Sequence, residues 1–108
     1  MFENLKKAKQ IAKDYFLLLQ QINDGEDVEF ASLVEYLYDA QFSKIISQDG
    51  NLLGYSVILS YGGPAAWVNT EDNTIFATTG GETAGYAIPQ ELSIDIDEAI
   101  EMSYHFNH

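Results

Sequence analysis

The chain has 108 residues, a length that suits one domain with a single hydrophobic core. Its 17 acidic residues stand against five lysines and no arginine, and the net charge of −12 opposes direct binding to nucleic acid. The absence of cysteine excludes disulfides, thiolate metal sites and a cysteine nucleophile. No segment is a long apolar run and residues 1–10 lack the apolar core of a signal peptide, so we expect a cytoplasmic protein with no membrane segment.

The charge is unevenly distributed along the chain. Residues 1–13 hold four lysines and one acid, whereas residues 14–108 hold sixteen acids and Lys44 as the only lysine. A surface of one sign keeps a small protein in solution, and it also steers a partner of the opposite sign. Both interpretations stay open on charge alone.

The first part of the chain carries a helical repeat of apolar side chains. Apolar positions recur at intervals of three and four over residues 3–23, and the Asn-Asp-Gly sequence at 23–25 ends the pattern. The repeat predicts an amphipathic helix. Packing of this helix on the domain's own sheet is the favoured use, and a helix-mediated homodimer through positions such as Leu5 and Leu19 is the alternative.

A second, shorter helix is predicted over residues 33–40. Ser32 and Glu35 have the spacing of a capping box, in which the Ser32 hydroxyl accepts from the Glu35 amide while the Glu35 carboxylate reaches back to the helix start. Glu35 and Asp39 should face water. The predicted buried side consists of Phe30, Leu33, Val34 and Leu37.

From Gln41 onward the apolar period changes from that of a helix to that of a strand. Turn-forming residues recur at intervals of about 8 to 12 positions, which favours an antiparallel meander over alternating strands and helices. Pro89 suits the first position of a last helix. The predicted fold class is α+β: one domain with an antiparallel β-meander of 4–5 strands, two N-terminal helices and one C-terminal helix. The predicted strands are 42–47, 52–61, 65–70, 74–79 and 83–88, and the last helix should bury Leu92, Ile96, Ala99, Ile100 and Tyr104.

The segment YGGPAAW, residues 61–67, lies between two predicted strands. Its two glycines allow backbone angles that other residues avoid, and Pro64 cannot donate to a ladder, so the segment is predicted to be a turn. A phosphate-binding loop is disfavoured because no lysine follows and no helix begins there. An apolar pocket beside Tyr61 and Trp67 that held a carboxylate of raised pKa would instead indicate an enzyme.

Candidate catalytic and metal-binding residues are sparse. His105 and His108, with Glu101 one turn earlier, have the spacing of a weak metal site, although a solvent-exposed terminal turn is the favoured interpretation. No serine stands in a G-x-S-x-G sequence, and the acids at 95–98 lack the pattern of a calcium loop. We therefore expect no enzymatic activity, no cofactor and no bound metal.

Three groups of acids remain after catalysis and metal binding are set aside. Spacings of three and four residues place the acids of the last helix on a ridge with no lysine, although each like-charged pair weakens a helix by roughly a few tenths of a kcal/mol. The groups could imitate the spaced phosphates of a duplex, and a merely solvated acidic face is the alternative. The predicted partner-binding residues are Glu91, Asp95, Glu98 and Glu101 on the last helix, Glu26, Asp27 and Glu29 in the first connection, and Glu71 and Asp72 in a hairpin tip.

Residues 54–108 contain GYSVILSYGGPAAWVNTEDNTI, then TTGGET, then GYAIPQEL before an acidic helix. This half of the chain resembles small uncharacterised proteins of phages and mobile elements of Gram-positive bacteria. The whole chain, which is short, acidic and free of cysteine and arginine, resembles anti-CRISPR proteins that inhibit Cas9. The likeness is one of size and charge, and it implies a viral inhibitor in the cytoplasm of a bacterial host cell.

The expected function is therefore that of a non-enzymatic inhibitor from a phage or mobile element. Its partner would be a defence protein with a basic nucleic-acid-binding groove, such as Cas9 or its guide complex, in which Arg and Lys face phosphates. DNA mimicry, conformational locking and blocked guide assembly all stay open as mechanisms. The alternatives are a self-associating structural or regulatory module and an enzyme that uses carboxylates on a small substrate.

Overall fold

The computed structural model describes residues 2–107 of the chain and the side chains of residues 2–103. Over this range three helices accompany a five-stranded sheet, and the predicted α+β class is confirmed. The elements in chain order are α1 (Phe2–Asn23), α2 (Leu33–Tyr36), β1 (Phe42–Ile46), β2 (Leu52–Ser60), β3 (Ala65–Asn69), β4 (Thr74–Thr79), β5 (Glu82–Ala87) and α3 (Gln90–Asn107).

The sheet is an antiparallel meander in which the strands follow one another in chain order. Successive side chains of a strand point to opposite faces, and the helices cover only one of them. On the covered face Val57, Val68 and Ile75 are register partners across β2, β3 and β4, and all three are fully buried. Residues of all three helices join this same core.

The other face of the sheet is open and uncharged. Ile58, Trp67 and Phe76 are register partners on this side, and the rings of Trp67 and Phe76 stack with their centroids 5.6 Å apart. The other paired positions on this side carry Ser, Thr, Asn, Ala or Gly, except for Ile45, which pairs with Gly54. In an antiparallel sheet with one solvated face this composition is ordinary, although the lack of charge contrasts with the acidic helices.

Helix α1 packs on the sheet against β4 and β5, which confirms the favoured use of its apolar stripe. Ala8 and Ala12 are fully buried, and their small side chains let the helix lie close to the strands. The two positions considered for a homodimer differ sharply: Leu5 is 42% exposed, whereas Leu19 is 0% exposed. Leu19 belongs to the core, and a substitution there cannot separate association from folding.

Helix α2 begins as predicted and ends earlier. The Ser32 hydroxyl accepts from the Glu35 amide at 3.3 Å, and the Glu35 carboxylate accepts from the amide of Ala31 at 3.0 Å, one residue before the usual partner of a capping box. The helix stops at Tyr36 because Leu37 leaves helical geometry, with φ −96° and ψ 7°. The predicted extension to residue 40 is wrong, and a turn fills that interval.

Helix α3 follows β5 directly. Pro89 was predicted to be the first helical residue, but the helix begins one residue later, at Gln90. Pro89 instead caps the helix, because its carbonyl accepts from the amide of Ser93. The predicted buried stripe of α3 is confirmed for the four residues whose side chains are described, and Tyr104 lies outside them. These are Leu92, Ile96, Ala99 and Ile100.

Gly54 in β2 gives a first testable prediction. A Cβ at this position would lie 2.6 Å from Thr70 Oγ1 and 2.9 Å from the Glu71 amide nitrogen. The second atom belongs to the backbone, which cannot move aside as easily as a side chain. We expect Gly54→Ala to lower the free energy of unfolding by about 1–3 kcal/mol in urea denaturation. Gly63→Ala is the matched control, since nothing lies within 4 Å of its added Cβ. Equal stability of the two variants would contradict the close approach.

Candidate functional site

The surface of α3 that faces away from the core is the centre of the candidate site. The buried stripe turns Glu91 and Glu98 outward, and both side chains are exposed. Spacings of four and three residues place Asp95 between them on the same side of the helix. We call this surface the acidic face of α3, and its members are Glu91, Ile94, Asp95, Glu98, Glu101 and Met102.

Two apolar side chains lie within this acidic surface. Ile94 is 48% exposed and Met102 is 50% exposed. Sequence reasoning counted only the acids and missed both residues, although the helical spacing from Glu91 to Ile94 and from Glu98 to Met102 was available. Single exposed apolar side chains are common on protein surfaces, and Ile94 and Met102 are the ones that would supply apolar contacts to a partner bound at this face.

The beginning of α3 is tied to the end of α1. The Asn23 side-chain amide donates to Asp95 Oδ2 at 2.7 Å. A polar cleft of about 210 Å³ lies between the two helices and brings Asp24 together with Glu91 and Asp95. The cleft is lined by Gln20, Asn23, Asp24, Pro89, Glu91, Leu92 and Asp95. One acid of the first connection therefore joins the predicted ridge, namely Asp24.

The other acids of the first connection have different surroundings. Asp27 is half-buried, and its Oδ2 accepts from the amides of Glu29 and Phe30, each at 2.9 Å, so this carboxylate holds the local turn together. Glu26 and Glu29 are exposed. No hydrogen bond within residues 2–107 links them to α3. Of the three acids predicted as a group, Asp27 therefore has a structural role, whereas Glu26 and Glu29 face solvent.

The other end of the acidic face lies beside the β3–β4 turn. The Tyr55 hydroxyl donates to Glu101 Oε1 at 3.3 Å, and the Tyr55 amide donates to Thr70 Oγ1 at 2.8 Å. Thr70 is followed by Glu71 and Asp72, and both are exposed in the turn. Tyr55 thus links Glu101 to Thr70, the residue that precedes the predicted hairpin-tip acids.

Asp97 lies between the acidic face and the core. Burial raises the pKa of its carboxyl, the hydrogen bond with Thr70 opposes this rise, and the charge of Glu101 adds to it. Its Oδ1 is enclosed and has no hydrogen-bond partner among the described residues. Burial followed by the Glu101 charge also raises the pKa of Tyr55. The ionised form of Asp97 is therefore less favourable in the folded protein than in water.

Asp97→Asn should stabilise the protein at neutral pH. A carboxyl whose pKa is raised in the folded state stabilises that state while it is protonated. This stabilisation is present below the ordinary aspartate pKa of 3.8 and is lost as the pH rises through the raised pKa of Asp97. The asparagine variant avoids that loss and can still accept from Thr70. Thermal melts over a pH series should show a gain in Tm at pH 7 that disappears in acid. The exposed Asp49→Asn should show no such gain, and a gain from Asp97→Asn that persists in acid would contradict the assignment.

The YGGPAAW segment supplies the predicted turn between β2 and β3. Gly62 has φ 82°, the Gly63–Pro64 peptide is cis, and the Ser60 hydroxyl donates to the Pro64 carbonyl at 3.0 Å. The turn borders a cavity of about 310 Å³ on the open face of the sheet, whose lining contains no carboxylate. The lining residues are Ser56, Ile58, Ser60, Tyr61, Gly62, Ala65, Ala66 and Trp67. The acid with a raised pKa, Asp97, is instead on the covered side.

Metal and membrane features were sought over the part of the chain that the structure describes. No group of three or more His, Asp or Glu side chains there is arranged to hold a metal ion, and no helix there is both long and apolar enough to cross a membrane. The pair His105 and His108 falls outside the side chains described. Comparisons with protein-family models, curated proteins and solved structures found no significant match to this chain.

Proposed function

We propose that the protein is a non-enzymatic inhibitor that binds a basic nucleic-acid-binding surface of another protein through the acidic face of α3. One observation carries this function: the face combines four carboxylates with two exposed apolar side chains, and α3 contains no lysine. The partner that fits best is a defence protein of the Cas9 type, because such effectors line their channels with Arg and Lys. The likeness of the whole chain to phage anti-CRISPR proteins agrees with this choice.

The carboxylates and the apolar side chains would contribute differently to binding. Charge on the rim of an interface accelerates association and selects the partner, while desolvated apolar anchors hold the complex together. Full burial of an exposed isoleucine or methionine contributes about 1.5–3 kcal/mol. A face that served only solubility would gain nothing from Ile94 and Met102. Their presence favours a protein partner over simple solvation.

The spacing of charge on α3 bears on how closely it resembles DNA. Neighbouring acids at intervals of three and four residues are separated by about 4.5–6 Å along the helix axis. The phosphates of one B-DNA strand lie about 3.4 Å apart along the axis. The acidic face is therefore a sparser array than a DNA strand. We therefore propose that the acidic face binds through complementary charge and apolar contacts, and that it does not reproduce the spacing of DNA phosphates.

The direct test is binding of the purified protein to a purified Cas9–guide complex at low and at high salt. We expect a complex at low salt whose affinity falls as salt is raised, because exposed charges are screened. Inhibition of DNA cleavage should follow the same salt dependence. Absence of binding at low salt would remove Cas9 as the partner, and binding that ignores salt would contradict the role of the carboxylates.

Substitution of Ile94 separates the apolar contribution from the electrostatic one. We expect Ile94→Ser to weaken binding by about tenfold at every salt concentration, since about 1.4 kcal/mol of contact is lost, and to leave the salt dependence unchanged. Leu17→Ser is the matched control, because Leu17 is a similarly exposed apolar residue on another helix, at 44%. Equal effects of the two substitutions in a titration would exclude a specific role for Ile94.

A self-associating module is the second candidate function, and exposed apolar residues on α1 favour it. Phe2, Leu5 and Leu17 all lie outside the core. This candidate requires a homodimer that is lost on Leu5→Asp with the fold retained. Sedimentation of the parent and of this variant tests it, and a monomeric parent at all concentrations would rule it out.

A further inference from the structure

A basic groove runs along one flank of α1, on residues that the acidic face of α3 does not share. Lys6, Lys9 and Lys13 are spaced by three and four residues, which places their side chains on one side of the helix. Together with Gln10 and Tyr86 of β5 they line a cavity of about 390 Å³. The groove thus concentrates three of the chain's five lysines.

The lysines of the groove are not neutralised by the protein's own acids. Within residues 2–107 none of the three forms an ion pair, although the chain carries 17 acidic residues. Two acids are near these lysines in sequence: Glu3, three residues before Lys6, and Asp14, which accepts from the side chain of the groove residue Gln10 at 2.8 Å. Charges beyond about 8 Å are largely screened at physiological ionic strength, so an anion in the groove would respond to the three lysines and, at the edge of the groove, to Asp14.

Tyr86 supplies an aromatic side chain to the lining of the groove. It is half-buried, and its ring packs against Phe16 with the centroids 5.5 Å apart and the planes tilted by 34°. This contact holds the ring in place beside the lysines. Such a combination of fixed aromatic surface and ammonium groups is suited to a ligand with both a planar ring and an anionic group.

We propose that this groove binds a small organic phosphate with a planar ring, of the nucleotide class, with its phosphates on the lysines and its ring on Tyr86. Lysine ammonium groups are common phosphate ligands. The cavity volume lies in the range of about 300–1,000 Å³ that is usual for small-molecule sites. A long nucleic acid is disfavoured because it would extend beyond the groove to the rest of the protein, where residues 14–108 hold sixteen acids that repel its phosphates.

The test is an NMR titration of the full chain with pyrophosphate, with ADP and with a single-stranded thymidine oligomer, all without metal. We expect ADP to bind more tightly than pyrophosphate and to shift the amides of residues 6–13 and of Tyr86. The shifts should leave the amides of the acidic face unchanged. Tighter binding of the oligomer than of ADP would overturn the assignment to a small ligand, and no saturable shifts with ADP would overturn the site.

Substitution of the exposed lysines tests the location. We expect Lys9→Gln with Lys13→Gln to weaken ADP binding by about tenfold or more, while Lys7→Gln, on the same helix but outside the groove, changes it less than about twofold. Equal loss from Lys7→Gln would show non-specific attraction and overturn the site. Tyr86→Leu, checked for folding by thermal melting, should abolish the preference for ADP over pyrophosphate. A preference that survives in this variant would contradict the role of the ring.

Discussion

Replacement of Leu19 by aspartate is expected to unfold the protein at neutral pH. Leu19 is fully enclosed in the core between α1 and the sheet. Truncation of a buried leucine costs about 2–5 kcal/mol, and an unpaired carboxylate in the same place adds a large desolvation cost. The sum is comparable to the total stability of a small domain, about 5–15 kcal/mol. Circular dichroism should show the loss of a cooperative thermal transition.

Leu5→Asp provides the contrast on the same helix. Leu5 is 42% exposed and lies outside the core, and substitutions at surface positions usually change stability by less than about 0.5 kcal/mol. The variant should melt as the parent does. A folded Leu19→Asp protein with a parent-like Tm would show that α1 does not pack on the sheet through this residue.

Reversal of charge on the acidic face is expected to have the largest effect on binding. Among the described residues the side chains of Glu91 and Glu98 are exposed and make no hydrogen bond, so Glu91→Lys with Glu98→Lys should leave the fold intact. Each lysine would face the Arg and Lys of the proposed partner, and like charges across an interface strongly oppose association. We expect affinity for the Cas9–guide complex to fall by more than about a hundredfold at low salt, which is about 2.7 kcal/mol.

A control of equal net charge is available elsewhere on the chain. Glu3 lies in the first turn of α1 as Glu91 lies in the first turn of α3, and Asp49 is an exposed acid in the β1–β2 turn. Glu3→Lys with Asp49→Lys should reduce affinity only modestly, through long-range charge. Equal losses in the two double variants would mean that net charge alone governs binding, and the acidic face would have no special role.

Much of the fold follows from local patterns in the sequence. The period of three and four in α1 and α3 and the alternation in the strands are direct consequences of helix and strand geometry. These patterns located every strand and the long helices to within a few residues. The end of α2 was predicted wrongly, because the helix stops where Leu37 leaves helical geometry. The sequence has no glycine or proline at this point that would signal the end of a helix.

The candidate site was predictable only in part. Spacing alone grouped Glu91, Asp95 and Glu98, because residues of one helix face lie close together. The contact of Tyr55 with Glu101 joins residues 46 positions apart, and the contact of Asn23 with Asp95 joins residues 72 apart. Such contacts depend on how the helices pack on the sheet. No local pattern in the chain encodes them.

The measurement that tests the central claim most directly is a competition between this protein and DNA for the Cas9–guide complex. Labelled protein bound to the complex is titrated with target duplex, and fluorescence anisotropy reports its release. If the acidic face occupies a basic nucleic-acid-binding surface, duplex should displace the protein, and excess protein should in turn weaken duplex binding. Simultaneous binding of protein and duplex, each with unchanged affinity, would contradict the claim.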